Sequence, residues 1–219
     1  MSPWVPVAVG AAVALLPWGW GPGRHVVTLV HEAGHALVAV LTGRRLNGVR
    51  LHRDTSGLTT SVGRPRGPGM VATAAAGYLS PTALGLGMLA AAALGRTAWA
   101  LWIALAVVTA MLVFIRNWFG LLVVGMAALA VAFLVWRTDE EIQQLAVVAL
   151  ASFLLVGGPR TTVELWSSRR RSRSATSDAD VLARLTHLPA ALWNAVFVVV
   201  TTAALLPAWR LLRGLDGLG

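Results

Sequence analysis

Residues 25–43 read HVVTLVHEAGHALVAVLTG, an apolar run with two histidines and a glutamate near its centre. On an α-helix, His31 and His35 are four residues apart and share one face, so both imidazoles can reach a single metal ion. Glu32 lies one step further round the helix, where its carboxylate can contact a water held by that ion. This spacing predicts a zinc site in which His31 and His35 are ligands and Glu32 is the general base.

The composition of the chain places this helix in a membrane. Apolar residues make up 57% of the chain and charged residues 12%, whereas soluble domains carry about 25% charged residues. Crossing a hydrocarbon core of about 30 Å takes roughly 20 apolar residues. Candidate runs occur at 4–20, 25–43, 70–95, 98–115, 120–136, 142–158 and 189–207. We predict one all-α membrane domain over residues 1–219 with six or seven transmembrane helices, six if one run is re-entrant or interfacial.

The membrane depth of the motif favours a functional role. An ionisable residue at the centre of a transmembrane helix costs about 2.5–3.5 kcal/mol on insertion scales. Such a residue is retained for chemistry or for a polar network that holds helices together. The sequence contains no cysteine, so protein ligands to zinc must come from His, Asp or Glu.

The basic residues predict an orientation. All 18 are arginine; with seven spans, thirteen lie on the side of the N-terminus and five on the opposite side. Because positively charged loops stay in the cytoplasm, we predict a multi-pass cell-membrane protein with a cytoplasmic N-terminus. The net charge of +9 then mostly faces the anionic inner leaflet of the lipid bilayer. Nucleic acid is excluded as a partner because the arginines lie in juxtamembrane loops without interleaved aromatic residues.

Two polar stretches, 44–69 and 159–188, lie on that predicted cytoplasmic side. In the first, apolar residues flank Asp54-Thr55-Ser56-Gly57, which predicts a short β-hairpin over 46–62 close to the membrane surface. In the second, residues 167–177 are rich in Ser and Arg and predict a flexible basic linker. A helix follows, with Ser177 as N-cap and Asp180 at the third helical position of a capping box.

These features resemble the site-2 protease family of intramembrane zinc metallopeptidases, most closely a compact bacterial branch of that family. The similar stretches are His31 to Gly43, Asp54-Thr55-Ser56-Gly57, Gly77-Tyr78-Leu79, Arg116-Asn117 and Ser177 to Pro189. The resemblance implies a zinc metalloendopeptidase that hydrolyses peptide bonds of transmembrane or membrane-associated protein substrates. It does not indicate an oligomeric state.

A third zinc ligand is required, because catalytic zinc takes three protein ligands and one open position. The family usually supplies it from a Leu-Asp-Gly motif on a later apolar helix, but this tripeptide occurs here only at residues 215–217, near the C-terminus. We prefer Asp178, which matches the acidic residue of the compact branch, and keep Asp180 and Asp216 as alternatives. Helix capping is the competing role for Asp178 and Asp180. As a ligand, Asp178 must reach membrane depth.

Four further residues have weaker assignments. By the same resemblance, Asn117 binds substrate by orienting a peptide carbonyl, although Arg116-Asn117 can equally be an ordinary polar connection. His187 can replace or support a carboxylate ligand, but a lone interfacial histidine is favoured. His25 and His52 are interpreted as loop residues.

Two other functional classes stay open. The first is a membrane metal-binding or metal-transport protein, which is disfavoured because no second intramembrane ligand cluster accompanies His31 and His35. The second is a non-catalytic scaffold or regulator derived from such a protease, since ligands and base can persist after cleavage is lost. Metal analysis combined with a cleavage assay separates these classes.

Overall fold

The computed structural model describes residues 2–171 and 177–216. Within them, helices occupy most of the chain, and the first polar stretch contains a two-stranded sheet. In chain order the elements are α1 (Trp4–Leu15), α2 (Pro17–Leu41), β1 (Arg45–Leu51), β2 (Gly57–Val62), α3 (Pro68–Ala93), α4 (Thr97–Phe114), α5 (Trp118–Arg137), α6 (Glu140–Arg171), α7 (Asp178–Thr186), α8 (Ala190–Ala203) and α9 (Leu205–Asp216).

The helices confirm the predicted all-α multi-pass class. Five helical segments of the described residues are long and apolar enough to cross a membrane, namely α3, α4, α5, most of α6 and the stretch Ala190–Leu215 that joins α8 to α9. α1 and α2 reach the required length and hydropathy as a bent pair. The described residues therefore provide five spans, or six if the bent pair forms one span.

The first two predicted runs, 4–20 and 25–43, form one bent pair, which agrees with the six-span alternative, but the break falls at Leu16 and not between the two predicted runs. α1 and α2 meet at a 93° bend, where Leu16 is extended and Pro17 begins α2. Proline lacks the N–H that would continue the preceding helix, so α1 ends at this point. The carbonyls of Ala14 and Leu15 instead accept hydrogen bonds from the guanidinium of Arg160 on α6.

The centre of the bundle is formed by α3 and α6, which pack against each other along much of their length. Small residues permit this close approach, because a Cβ added at Gly85 on α3 would lie 2.8 Å from the carbonyl oxygen of Ala151 on α6. Leu89 and Leu154 are fully buried in this core. α4 and α5 pack mainly on each other and turn most of their side chains outward, as expected for helices that face lipid.

β1 and β2 form the predicted hairpin, antiparallel from Arg45 opposite Val62 to Leu51 opposite Gly57. These bounds agree with the predicted span 46–62 to within one residue. A β-bulge interrupts the register in β1, where an extra residue bends and twists the strand.

The hairpin lies alongside α2 and not beyond its end. At the turn, the carbonyl of Thr55 accepts a 2.7 Å hydrogen bond from the hydroxyl of Thr28. Thr28 precedes Leu41, the last residue of α2, by about 20 Å of helix. Hydrogen bonds to α2 thus hold the turn at the level of the His-Glu motif, and the expected position of the hairpin close to the membrane surface stays a prediction.

The two outer edges of the hairpin differ. Val49 of β1 forms a bridge with Ile115, and its carbonyl accepts a 2.9 Å hydrogen bond from the N–H of Arg116. The amide of Asn117 continues this pairing, accepting from the N–H of Leu51 at 3.2 Å and donating to its carbonyl at 2.7 Å. No segment of the described chain pairs with the outer edge of β2.

The second polar stretch begins as helix. α6 continues to Arg171 and covers the first part of the segment 167–177 expected to be a linker, while residues 172–176 lie outside the described residues. α7 then begins with the predicted capping box, in which the N–H of Ser177 donates to Oδ2 of Asp180 at 3.1 Å. α7 packs against α3 and α8, so its first residue reaches the cavity beside α2.

The two ends of the bundle contain different parts of the chain. Near the start of α6, Glu141 shares a small cavity with Pro3 and Leu215. Towards the end of α6, Leu165 lines the large cavity beside the hairpin. These two α6 residues are separated by about 36 Å of helix. The start of α1 and the end of α9 therefore lie at the end of the bundle opposite to the hairpin.

Candidate metal centre

α2 presents the two histidines of the motif to α3. Their Nε2 atoms lie 3.0 Å apart, in agreement with the four-residue spacing. Nδ1 of His35 donates a 2.7 Å hydrogen bond to the backbone carbonyl of Thr73. This bond fixes the orientation of the ring and leaves Nε2 as the nitrogen available to a metal. The ring of Tyr78 packs edge-on against His31, with centroids 4.7 Å apart.

The first residue of α7 brings a carboxylate to the same point. Oδ2 of Asp178 lies 3.1 Å from Nε2 of His31 and 3.2 Å from Nε2 of His35. Asp180 closes the capping box, so the box does not require Asp178. Burial raises the pKa of Asp178, but hydrogen bonds with His31 and His35 and electrostatic attraction to both residues together outweigh burial and hold that pKa below its usual range.

These three atoms fit a tetrahedral zinc site. Ligand atoms about 2.0–2.1 Å from a tetrahedral zinc lie about 3.3 Å from one another, close to the 3.0, 3.1 and 3.2 Å found here. Among the side chains that the structure describes, His31, His35 and Asp178 form the group of titratable residues able to hold a metal. Gly77 on α3 lets both imidazoles pack directly against the backbone of that helix, since a Cβ there would lie 2.5 Å from Nε2 of His31 and closer still to His35.

Glu32 is buried beside this group, with only 4% of its surface exposed. Its Oε2 accepts a 2.6 Å hydrogen bond from the hydroxyl of Thr59 on β2. Glu32 and the three candidate ligands line one cavity of about 650 Å³, and the hairpin turn and β2 form another wall of it. A carboxylate in this position can take a proton from a water next to the candidate ligands.

The other predicted residues lie outside the ligand group. The amide of Asn117 pairs with β1 and does not line the cavity, so its predicted contact with substrate stays a prediction. His187 is exposed at the C-terminus of α7. His25 lies within α2 and not in a loop, whereas His52 is at the hairpin turn as expected. Asp216 ends α9 at the opposite end of the bundle, and its side chain lies outside the described residues.

The sequence pattern does not predict three contacts of this centre: Thr59 with Glu32, Thr73 with His35, and Gly77 beside both imidazoles. For Thr59 the sequence carries no signal, because the apolar residues Leu58 and Val62 lie on the more exposed side of β2 and Thr59 lies on the other. Weak signals exist for the other two. Thr73 and Gly77 are four residues apart and share a face of α3. Local spacing could not identify α2 as the helix that this face meets.

Fold and site together define a class: a multi-pass membrane protein in which a His-Glu-x-x-His helix meets a carboxylate from a distant helix. The family model described as Peptidase M50B-like matches residues 4–208. The chain therefore belongs to this membrane protease family, which is the site-2 protease family of intramembrane metallopeptidases, and the predicted resemblance is confirmed. Searches of curated proteins and of solved structures found no match.

Proposed function

We propose that this protein is a zinc metalloendopeptidase that cleaves transmembrane or membrane-associated protein substrates within or beside the bilayer. The observation that carries the proposal is the convergence of His31 Nε2, His35 Nε2 and Asp178 Oδ2 in one cavity with the buried carboxylate of Glu32. A polar network that only holds helices together does not require three ligand atoms to converge to within about 3.2 Å of one another beside a cavity of about 650 Å³.

Each residue of the site has a distinct role in this proposal. His31, His35 and Asp178 hold the ion, and the Thr73 carbonyl keeps the ring of His35 in place. When bound, zinc supplies a Lewis acid that lowers the pKa of a coordinated water and polarises a peptide carbonyl. Glu32 takes the proton of the attacking water on a carboxylate oxygen and passes it to the nitrogen of the leaving amine.

In this proposal the outer edge of β2 is the binding site for the substrate. Residues Gly57–Thr59 line the cavity, and backbone groups of β2 that point away from β1 can pair with an extended peptide. The edge of β1 is already covered by residues 115–117. Because an unpaired backbone group costs several kcal/mol in hydrocarbon, an unwound substrate segment regains hydrogen bonds by adding to β2.

We also propose that the hairpin end of the bundle faces the cytoplasm. Six arginines lie in or next to the hairpin, namely Arg44, Arg45, Arg50, Arg53, Arg64 and Arg66. Positively charged segments are retained on the cytoplasmic side. α1 begins at the opposite end of the bundle, so this orientation places the start of α1 on the side away from the cytoplasm. The cytoplasmic N-terminus predicted from the sequence depends on seven separate spans.

The substitution Glu32→Gln separates catalysis from metal binding. Wild-type protein reconstituted in vesicles is expected to contain zinc and to cleave quenched single-span peptides weakened at mid-helix by an Asn-Gly pair. Glu32→Gln is expected to keep the zinc and to lower cleavage by about 10²–10⁴-fold, the usual contribution of a general base. His31→Ala is expected to lose zinc and cleavage together. Elemental analysis measures the zinc, and fluorescence measures the cleavage.

Three outcomes would contradict separate parts of the proposal. Undiminished cleavage by pure Glu32→Gln protein would reject the general base. Wild-type protein that contains no metal after purification without chelators would reject the metal site. Zinc-loaded wild-type protein that cleaves none of the peptides would favour a non-catalytic membrane metal-binding protein or scaffold.

A further inference from the structure

A hydroxyl of β2 contacts the proposed general base. Oγ1 of Thr59 lies 2.6 Å from Oε2 of Glu32 and 3.2 Å from its backbone carbonyl oxygen. A hydroxyl has one proton to donate, and the shorter distance assigns that proton to the carboxylate, as in a charge-assisted O–H···O⁻ bond. We infer that Thr59 is a positioning residue that fixes the carboxylate of Glu32 for proton transfer. The inference rests on the proposed function.

Gly57 allows β2 to come close enough for this bond. A Cβ at Gly57 would lie 2.7 Å from Cδ of Glu32, so a larger residue would displace the carboxylate or the strand. Gly57 and Thr59 are two residues apart and face the same side of β2. The carboxylate is therefore bonded at Oε2 by Thr59 and packed against the strand at Gly57.

A second hydrogen bond sets the position of the hairpin along α2. The hydroxyl of Thr28, one helical turn before Glu32, donates to the carbonyl of Thr55 at 2.7 Å. Thr55 has a φ of 66°, a conformation that β-branched residues rarely adopt. The hairpin is thus tied to α2 at both Thr28 and Glu32, which holds the Thr59 hydroxyl against the carboxylate.

β2, the strand that binds the substrate in our proposal, also orients the general base Glu32. The backbone of β2 would place the scissile peptide, while the side chain of Thr59 places the carboxylate of Glu32. Loss of the hydroxyl leaves the open edge and the metal ligands intact but lets the carboxylate rotate. We therefore expect kcat to fall about 10- to 100-fold, since a misplacement of about 1 Å costs about 10²-fold, with KM little changed.

The test compares Thr59→Val, Thr59→Ser and Thr201→Val, each reconstituted in vesicles with the quenched single-span peptides. Thr59→Val preserves the side-chain shape and removes the hydroxyl, whereas Thr59→Ser keeps a hydroxyl. Thr201 is the matched control, because its hydroxyl bonds to the carbonyl of Phe197 within α8 and it does not line the cavity. We expect Thr59→Val to lose kcat with KM and zinc content unchanged. Thr59→Ser and Thr201→Val are expected to cleave nearly as fast as the wild type.

A double substitution adds a readout that a purely structural role would not produce. Once Glu32→Gln has removed the base, Thr59→Val should cause no further loss of the residual cleavage rate. An additional loss of the same size as in the wild-type background would overturn the positioning role. If Thr59→Val does not fold, Thr59→Ala replaces it in every comparison with Thr59→Ser.

The other outcomes distinguish this inference from the proposed function. Wild-type kcat in Thr59→Val, alongside lost cleavage in Glu32→Gln, would overturn the inference and leave the protease in place. Equal losses in Thr59→Val and Thr59→Ser, or a loss of zinc in Thr59→Val, would also overturn it. Zinc-loaded wild-type protein without cleavage would instead remove the proposed function and the positioning role together.

Discussion

Gly77→Ala should remove the metal while the helix bundle stays folded. A Cβ at this position would lie 2.5 Å from Nε2 of His31 and closer to Nε2 of His35, whereas Cβ atoms in proteins essentially never come within 3.0 Å of a non-bonded atom of a distant residue. At least one imidazole must therefore retreat by about 0.5 Å or more, and zinc–ligand distances tolerate only about 0.2 Å.

The expected loss of zinc affinity follows from this displacement. Removing a partner that merely orients a ligand costs about 10–100-fold in metal affinity. Displacing the ligands themselves should cost more, so we expect a loss of at least about 100-fold, which equals about 2.7 kcal/mol. The helix should not suffer from the substitution, because alanine in a helix interior is about 1 kcal/mol more favourable than glycine.

Zinc affinity is best measured by competition with a chromophoric chelator in detergent, with thermal unfolding followed by circular dichroism. Gly87→Ala is the matched control, because it lies on the same helix and its added Cβ would meet no atom within 4 Å. This control should bind zinc like the wild type. A folded Gly77→Ala protein with wild-type affinity would refute the reasoning, since the ion could not then lie between the two imidazoles beside α3.

Two further predictions concern the third ligand and the orientation of the chain. Asp178→Asn should lose zinc in a chelator titration, whereas Asp180→Asn should keep zinc and lose about 1 kcal/mol of stability through its capping box; the reverse result would transfer the ligand role to Asp180. The orientation can be tested with one protease-cleavable tag before α1 and another inserted at residues 64–67. In sealed, uniformly oriented vesicles, the two tags should be accessible from opposite sides of the membrane. Cleavage of both tags from one side would contradict the proposed orientation.

The parts of the fold that the sequence predicts are local in the chain. His31, Glu32 and His35 lie within five residues, and helical geometry alone brings the two imidazoles together. The hairpin follows from its turn sequence, and the capping box from the spacing of Ser177 and Asp180. The resemblance favours Asp178, and the structure supplies the physical condition that the sequence cannot, namely a helix whose first turn reaches the histidines.

The parts that escaped prediction depend on packing between distant segments. Apolar residues continue on both sides of Pro17, so hydropathy allows a re-entrant run but does not locate the break between α1 and α2. The position of the hairpin along α2 depends on hydrogen bonds from Thr28 to Thr55 and from Thr59 to Glu32, each of which joins residues 27 positions apart. Threonine is nearly neutral on hydropathy scales, so a hydropathy profile does not reveal hydrogen bonds between such distant residues.

Arg160 gives the bend at Pro17 a second physical cause. Its guanidinium stacks 4.3 Å above the ring of Trp20, forms an ion pair with Glu164 and supplies donors to the last carbonyls of α1. α6 thus provides a cap for a helix that lies some 146 positions earlier in the chain. Replacement of Pro17 alone is therefore expected to leave the bend in place as long as Arg160 is present. If this bend lies in the hydrocarbon core, loss of Arg160 would leave the carbonyls of Ala14 and Leu15 unpaired, at a cost of several kcal/mol each.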